Sequence, residues 1–247
     1  MRGFTAIFKR ELFKLFVTPL FWVLLAAFLV VQGVHFFLLV TQFAGQADIN
    51  EGGPVQAFFG KTILLYLPLL FICPLLTMRL FAEERSTGTI EALLTAPVSS
   101  AGVTMAKYLA SFVTYCLMWA PTVLYIALIS RTGDVDWRVV GASYLGLACV
   151  GAGYCAIGTM TSALAQSQLT AAVLSTMAVV FLFMLGIGEF VIETGPAHDI
   201  CAYVSVWSQM ADFSQGIIDL RRLTLDATLV GVPLFITVRA VDAWRWG

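Results

Sequence analysis

Three observations on this 247-residue chain predict an all-α integral membrane protein with six transmembrane helices. Hydrophobic residues make up 60% of it and charged residues only 12%, about half of the ~25% that a water-facing domain carries. Apolar runs of about 20 residues, the length that crosses the hydrocarbon core of a bilayer, recur six times. Within those runs the apolar residues do not alternate with polar ones: Phe21-Trp22-Val23-Leu24-Leu25 is apolar throughout, whereas a β-barrel span alternates over about 10 positions. The same composition excludes an ordinary globular enzyme and a disordered tail, because both need a polar exterior. Basic residues number 14 against 15 acidic, which leaves no positive excess for a phosphate backbone and excludes a nucleic-acid partner.

The six spans are expected at 20–40, 58–78, 108–130, 139–162, 169–188 and 223–241. Asp226 and Arg239 fall near the two ends of the last one, where both side chains reach water. The basic start and first apolar run superficially fit a secretory signal. That run is longer than the 7–15 residues of a signal core, so an uncleaved first span is the expectation. The cysteines (Cys73, Cys116, Cys149, Cys155, Cys201) show no C-x-x-C spacing and read as small core residues. With six spans both termini share a side. That side gathers nine of the Lys and Arg residues against five on the other, so both termini are expected in the cytoplasm.

Residues 1–19 read as a separate amphipathic helix before the six-span domain of 20–247. Phe4, Ile7, Phe8, Leu12, Leu15 and Phe16 recur at spacings of three and four, with Lys9, Arg10 and Lys14 mostly opposite. Such a helix suits the headgroup plane, its basic face towards anionic lipid. A plain positive flank that only sets topology explains the same residues equally well. Glu11 near the edge of the stripe weakens the pattern, and Pro19 marks a bend into the first span.

The connection 79–107 carries the most information. Gly88 is expected to break the helix continuing from the second span, Thr89 to begin a short new one, and Pro97 to end it. Two turns of helix with Ile90, Leu93 and Leu94 on one face are marginal alone in water and call for a surface to pack on.

The string Glu83-Glu84-Arg85-x-x-Gly88-Thr89-x-Glu91-x-Leu93-Leu94-x-x-Pro97-Val98-Ser99 resembles the signature of ABC-2 type permeases, the membrane subunits of type-2 ATP-driven exporters. Near the end of the chain, Phe213-Ser-Gln-Gly216-Ile-Ile-Asp219-Leu-Arg221 and Trp244-Arg245-Trp246 resemble the gliding-motility-type branch. The resemblance implies that the short helix is a coupling helix seated in a groove of a separate ATPase subunit. Glu83, Glu84 and Arg85 would then form a polar hinge, and 89–95 the docking element. It also implies two copies of the ATPase, with ATP and magnesium bound there and no cofactor on this chain. A second permease, identical or related, would complete the transporter, with the pathway between the two lined partly by the second and fifth spans. The setting it implies is the inner (plasma) membrane of a bacterium.

The segment 189–222 is long for a bundle connection. Gly195-Pro196 breaks it, and Asp199 can cap a helix whose Ile200, Tyr203, Val204, Trp207 and Met210 share a face. Resemblance makes this an excursion on the outer side that dips into the leaflet; a surface helix without a transport role fits the residues equally.

The chain carries no motor of its own. Gly60-Lys61-Thr62 matches the end of a P-loop, but Val55 stands at its first glycine position and a membrane span follows. His35, with Gln32 one turn before it, is the ionisable residue deep in a span, and a bond to a neighbouring helix explains it better than a proton relay. An intramembrane protease is the rival reading, on the Glu83-Glu84 pair and the two histidines. Its E-E-x-x-x-R frame fails because Gly88 stands at the arginine position, and no G-x-S-x-G or H-E-x-x-H occurs. A non-transporting membrane scaffold is the third. Small residues in the fourth span (Ala142, Gly146, Ala148, Ala152, Ala156) allow close helix approach. A polar seam follows them: Thr159, Thr161, Ser162, Gln166, Ser167, Gln168 and Thr170. Plain packing explains both better than a pathway.

Overall fold

The computed structural model describes residues 2–45, 53–60, 62–90, 98–131 and 135–246. Their regular structure is helical throughout. In chain order the helices are α1 (Arg2–Val17), α2 (Pro19–Gly45), α3 (Pro54–Gly60), α4 (Ile63–Thr77), α5 (Ala82–Ser86), α6 (Ser100–Trp119), α7 (Val123–Ile129), α8 (Trp137–Leu164), α9 (Gln168–Val191), α10 (Pro196–Val204), α11 (Val206–Ser214) and α12 (Leu220–Trp246). Six stretches are long and apolar enough to cross a membrane: Pro19–Phe43, Ile63–Ser86, Ser100–Ile129, Trp137–Leu164, Gln168–Val191 and Leu220–Trp244. Each overlaps one of the six expected spans. The third is bent, with a 3-10 turn at Ala120–Thr122 around Pro121 joining α6 to α7, because a proline ring cannot continue the α-helical bonding of the preceding turn.

The α8 helix is the pillar of the bundle. Its most apolar window is 67% buried, against 22% for α2 and 28% for α9 and α12, so those three present most of their surface outward. Small residues make this burial possible. A Cβ at Gly146 would strike the ring of Phe213, one at Gly151 would fall inside the ring of Tyr115, and one at Gly158 would collide with Thr77. The small positions in this span are therefore contact points for neighbouring helices. Tyr115 then donates its hydroxyl to the Leu147 carbonyl at 3.0 Å, satisfying the polar end of a fully buried ring.

Three local expectations are corrected. The second span does not start near residue 58: Phe58 and Phe59, both fully buried, belong to the separate helix α3, and α4 begins at Ile63. Gly60 lies against α11, where a Cβ would come within 2.5 Å of the Ser214 hydroxyl oxygen. In the segment between the fifth and sixth spans there are two short helices rather than one. Gly195 (φ 113°) and Pro196 start α10, with Asp199 inside its first turn rather than capping it. The cap that matters is Ser205, whose side chain accepts from the Ser208 N–H and begins α11, splitting the single apolar face that hydropathy suggests. The third correction is at Glu11, which lies in the middle of the buried side of α1 and is only 2% exposed.

The first and last helices, α1 and α12, meet at one end of the bundle. There Ile7 of α1, Leu80 and Phe81 after α4, Val103 and Ala106 of α6, and Val241 of α12 form a small core of their own. The opposite, far end is closed by α3, α10 and α11.

Candidate functional site

The segment following α4 is held from three directions. Ser162 of α8 accepts from the backbone N–H groups of Phe81 (3.0 Å) and Ala82 (3.2 Å) and donates to the Met78 carbonyl (3.0 Å). It thereby pairs donors that the start of α5 leaves open. Arg85 donates to the carbonyls of Ala163 (3.2 Å) and Ala165 (3.1 Å), placing a cation where the last turn of α8 exposes unpaired carbonyls and the negative end of its dipole. The Arg85 guanidinium also lies over the Trp244 ring of α12, 4.8 Å from its centroid.

The third tie is a buried charge network. Lys107, in the second turn of α6, is fully buried. Its ammonium donates to Glu11 Oε1 at 3.2 Å and to the Leu80 carbonyl and forms an ion pair with Glu84 Oε1 at 3.0 Å. Arg10 bridges the same two carboxylate oxygens from outside, at 2.8 Å each, and Lys14 pairs with Glu83 at 3.1 Å. Burial alone would push the Glu11 carboxyl up. Lys107 and Arg10 overcome it and hold the group below its ordinary value. The hydrogen bond from Arg10 to Glu11 in turn raises the guanidinium. One node thus fastens α1, the segment after α4, and α6.

Each residue of the expected polar hinge has a different partner: Glu83 pairs with Lys14, Glu84 with Lys107 and Arg10, and Arg85 with the α8 carbonyls, while Glu84 Oε2 is buried without a hydrogen bond. Gly88 adopts φ 71°, a left-handed conformation that favours glycine, and follows the short helix α5; the helix of the second span itself ends earlier than expected, at Thr77. Thr87 donates to the Glu83 carbonyl (2.8 Å) and meets the Thr89 hydroxyl at 2.9 Å. Ile90 is half-buried. Glu91, Leu93, Leu94 and Pro97 lie outside the described residues. Beside this segment is a hollow of about 650 Å³ between α1 and the loop, lined among others by Phe13, Val17, Glu84 and Thr89. Phe13 and Val17 are 70% and 62% exposed, so α1 turns its stripe (Phe4, Ile7, Phe8) onto the protein and leaves a second, smaller apolar pair uncovered.

The rival constellation does not assemble. His35 bonds Gln32 of its own helix (3.3 Å) and stacks on Phe58 of α3 at 4.7 Å, while His198 bonds the Ile192 carbonyl. Neither is near Glu83 or Glu84. Among the described residues no three His, Cys, Asp or Glu side chains are grouped to hold a metal ion.

A family model described as ABC-2 family transporter protein matches residues 7–186. The chain belongs to this family. No curated protein matches it. The ABC-2 family match begins inside α1 and contains Glu11, Glu84, Arg85, Lys107 and Ser162, so the whole charged node lies within the family region. The C-terminal strings around Asp219 and Trp244 fall beyond it. An ABC-2 family membrane protein with six apolar helices fits a transporter permease, a transport component rather than an enzyme.

Proposed function

We propose that this chain is the permease subunit of an ATP-binding-cassette exporter, driven by a separate ATPase that docks on the loop 83–99. Carrying this reading is the node of Lys107, Glu11 and Glu84. A loop that only joined two spans would have no need of a fully buried ammonium tying it to α1 and α6. Displacement of the 89–95 element would be passed through Glu84 to α6 and α1, through Ser162 and Arg85 to α8, and through Trp244 to α12. Bistable packed interfaces convert such a push into a change of access. The hollow bounded by Phe13 and Val17 supplies apolar surface for the ATPase next to charged residues.

In this reading both termini and the loop face the cytoplasm of a bacterial cell, in its inner membrane, and α1 rests at the headgroup level with Lys9 outward. Two ATPases holding ATP and magnesium work with two permeases, the second identical or related. The resemblance of the C-terminal strings supports the gliding-motility-type branch, and export likewise rests on resemblance. The test is capture of a P-loop ATPase by the tagged full chain, identified by mass spectrometry. Leu93→Asp with Leu94→Asp should abolish capture while leaving the amount of membrane-inserted chain unchanged. Undiminished capture would overturn the docking role.

A further inference from the structure

A furrow of about 780 Å³ runs along the outward surface between α6, α8 and α12. It follows α12 from Leu223 to Val238, about 22 Å at the helical rise. Its lining is almost wholly apolar, with Met105, Ala152, Leu234 and Phe235 among the contributors. Near its far end lies Asp226, whose carboxylate is already taken by Gln209 at 2.6 Å. A helix of that length about 10 Å across would displace about 1,700 Å³, more than twice what the furrow holds, whereas 780 Å³ lies within the ~300–1,000 Å³ range of small-ligand sites.

Two polar groups mark the terminal end. Arg239 lies over the ring of Phe235, its guanidinium carbon 5.1 Å from the centroid, and no carboxylate among the described residues pairs with it. Thr104 lines the furrow, is 1% exposed, and its hydroxyl has no hydrogen-bond partner. The hydroxyls of Tyr66, Tyr154 and Ser175 are also buried without a partner, but those of the other buried threonines among the described residues are not. Thr77, Thr114, Thr159 and Thr237 each donate to the carbonyl four residues back, at 2.7 to 2.8 Å, the normal outlet for a threonine within a helix. A buried hydroxyl without a partner requires explanation.

We infer that this furrow binds an anionic phospholipid. One acyl chain lies along α12 over Ala152, the phosphate meets Arg239, and the Thr104 hydroxyl donates to an oxygen of the lipid backbone. Arg239 has the geometry for this role: its guanidinium rests over Phe235, which lines the furrow, and it is exposed near the end of the last apolar helix, where a cation can meet headgroup phosphate. The site does not involve the loop 83–99, so it stands or falls independently of ATPase docking.

Gly231 gives the cleanest test, because it lines the furrow and a Cβ built on it meets nothing within 4 Å. The full chain is purified in a zwitterionic detergent. Phosphatidylglycerol and phosphatidylcholine with identical acyl chains are titrated while Tm and lipid retention in native mass spectrometry are read. The expected result is a rise in Tm and one retained lipid with phosphatidylglycerol, neither with phosphatidylcholine, and no shift with inorganic phosphate. Arg239→Gln should weaken phosphatidylglycerol binding about tenfold, the loss of one charge-assisted contact. Gly231→Leu should abolish it while leaving the lipid-free Tm at or above the parent value, since leucine is the better helix former. Equal stabilisation by both lipids, or unchanged phosphatidylglycerol binding in Gly231→Leu, would overturn the inference. So would a cross-link between two copies through Gly231→Cys, which would make the occupant a second chain.

Discussion

At the terminal end of the bundle, two buried carboxylates share one fully buried ammonium, and the helices joined by Glu11 and Lys107 are 96 residues apart in the chain. At the far end the fastenings are mostly hydrogen bonds. Gln209 donates to Asp226 (2.6 Å), Ser208 bonds both oxygens of Glu189 (2.7 and 2.6 Å), and the ion pair of Arg222 with Asp212 (3.1 Å) leaves Asp212 34% exposed. A partly exposed pair such as Arg222 with Asp212 can be exchanged for water at little cost, whereas the buried Gln209–Asp226 bond is costly to break without a new partner. A buried pair cannot lose one member without stranding the other. The terminal end is therefore built as a joint of fixed register on a buried charge cluster, while the far end combines one buried hydrogen bond with partly exposed contacts that can be remade. That division suits a protein driven at one end and opening at the other.

The comparison is broken most severely by Lys107→Met. It leaves Glu11 and Glu84 with only the exposed Arg10, and should cost about 3–5 kcal/mol in reversible unfolding followed in detergent. Next comes Ser162→Ala, which strips the acceptor from the buried N–H groups of Phe81 and Ala82 and should cost about 1–3 kcal/mol by the same measurement. Acid sharpens the contrast. Glu11 is held below its ordinary value of 4.5, so the stability it contributes is complete above about pH 4.5 and is lost as pH falls through its lower folded value. Unfolding titrated from neutral to acid pH should show this loss, and Glu11→Gln should flatten it. The smallest effect is expected at the far end, where Arg222→Gln should change stability by about 1 kcal/mol or less; a loss as large as that of Lys107→Met would erase the distinction between the ends.

Much of the architecture is legible in the sequence because hydropathy is a local property. Six runs of apolar residues give six crossings, Gly88 gives a break at the place where its φ is positive, and the small residues of α8 give a close-packed pillar. Boundaries set by contacts are less legible. Gly60, the last residue of α3, lies where Ser214 leaves no room for a side chain, and nothing in the neighbourhood of residue 60 announces residue 214. Ser205 caps the helix that carries Gln209 onto Asp226, while Asp199 lies inside the first turn of the preceding one, and neither arrangement is set by local sequence. The charged node is the clearest case. Glu11 spoils an apolar stripe and Lys107 reads as one more basic flank residue; each is a minor irregularity until folding brings them together. A single acid on the buried side of α1 is the signal that could have prompted a search for a buried base, but its partner is fixed by topology rather than by spacing.

The central claim is that the joint at Glu84 transmits work from the ATPase to the spans. The most direct measurement is ATP turnover by the captured ATPase in complex with the full chain carrying Glu84→Gln, compared with the parent complex at equal capture. Retained association with turnover reverting to that of the ATPase alone is the predicted result. Unchanged association together with unchanged permease-dependent turnover would contradict it.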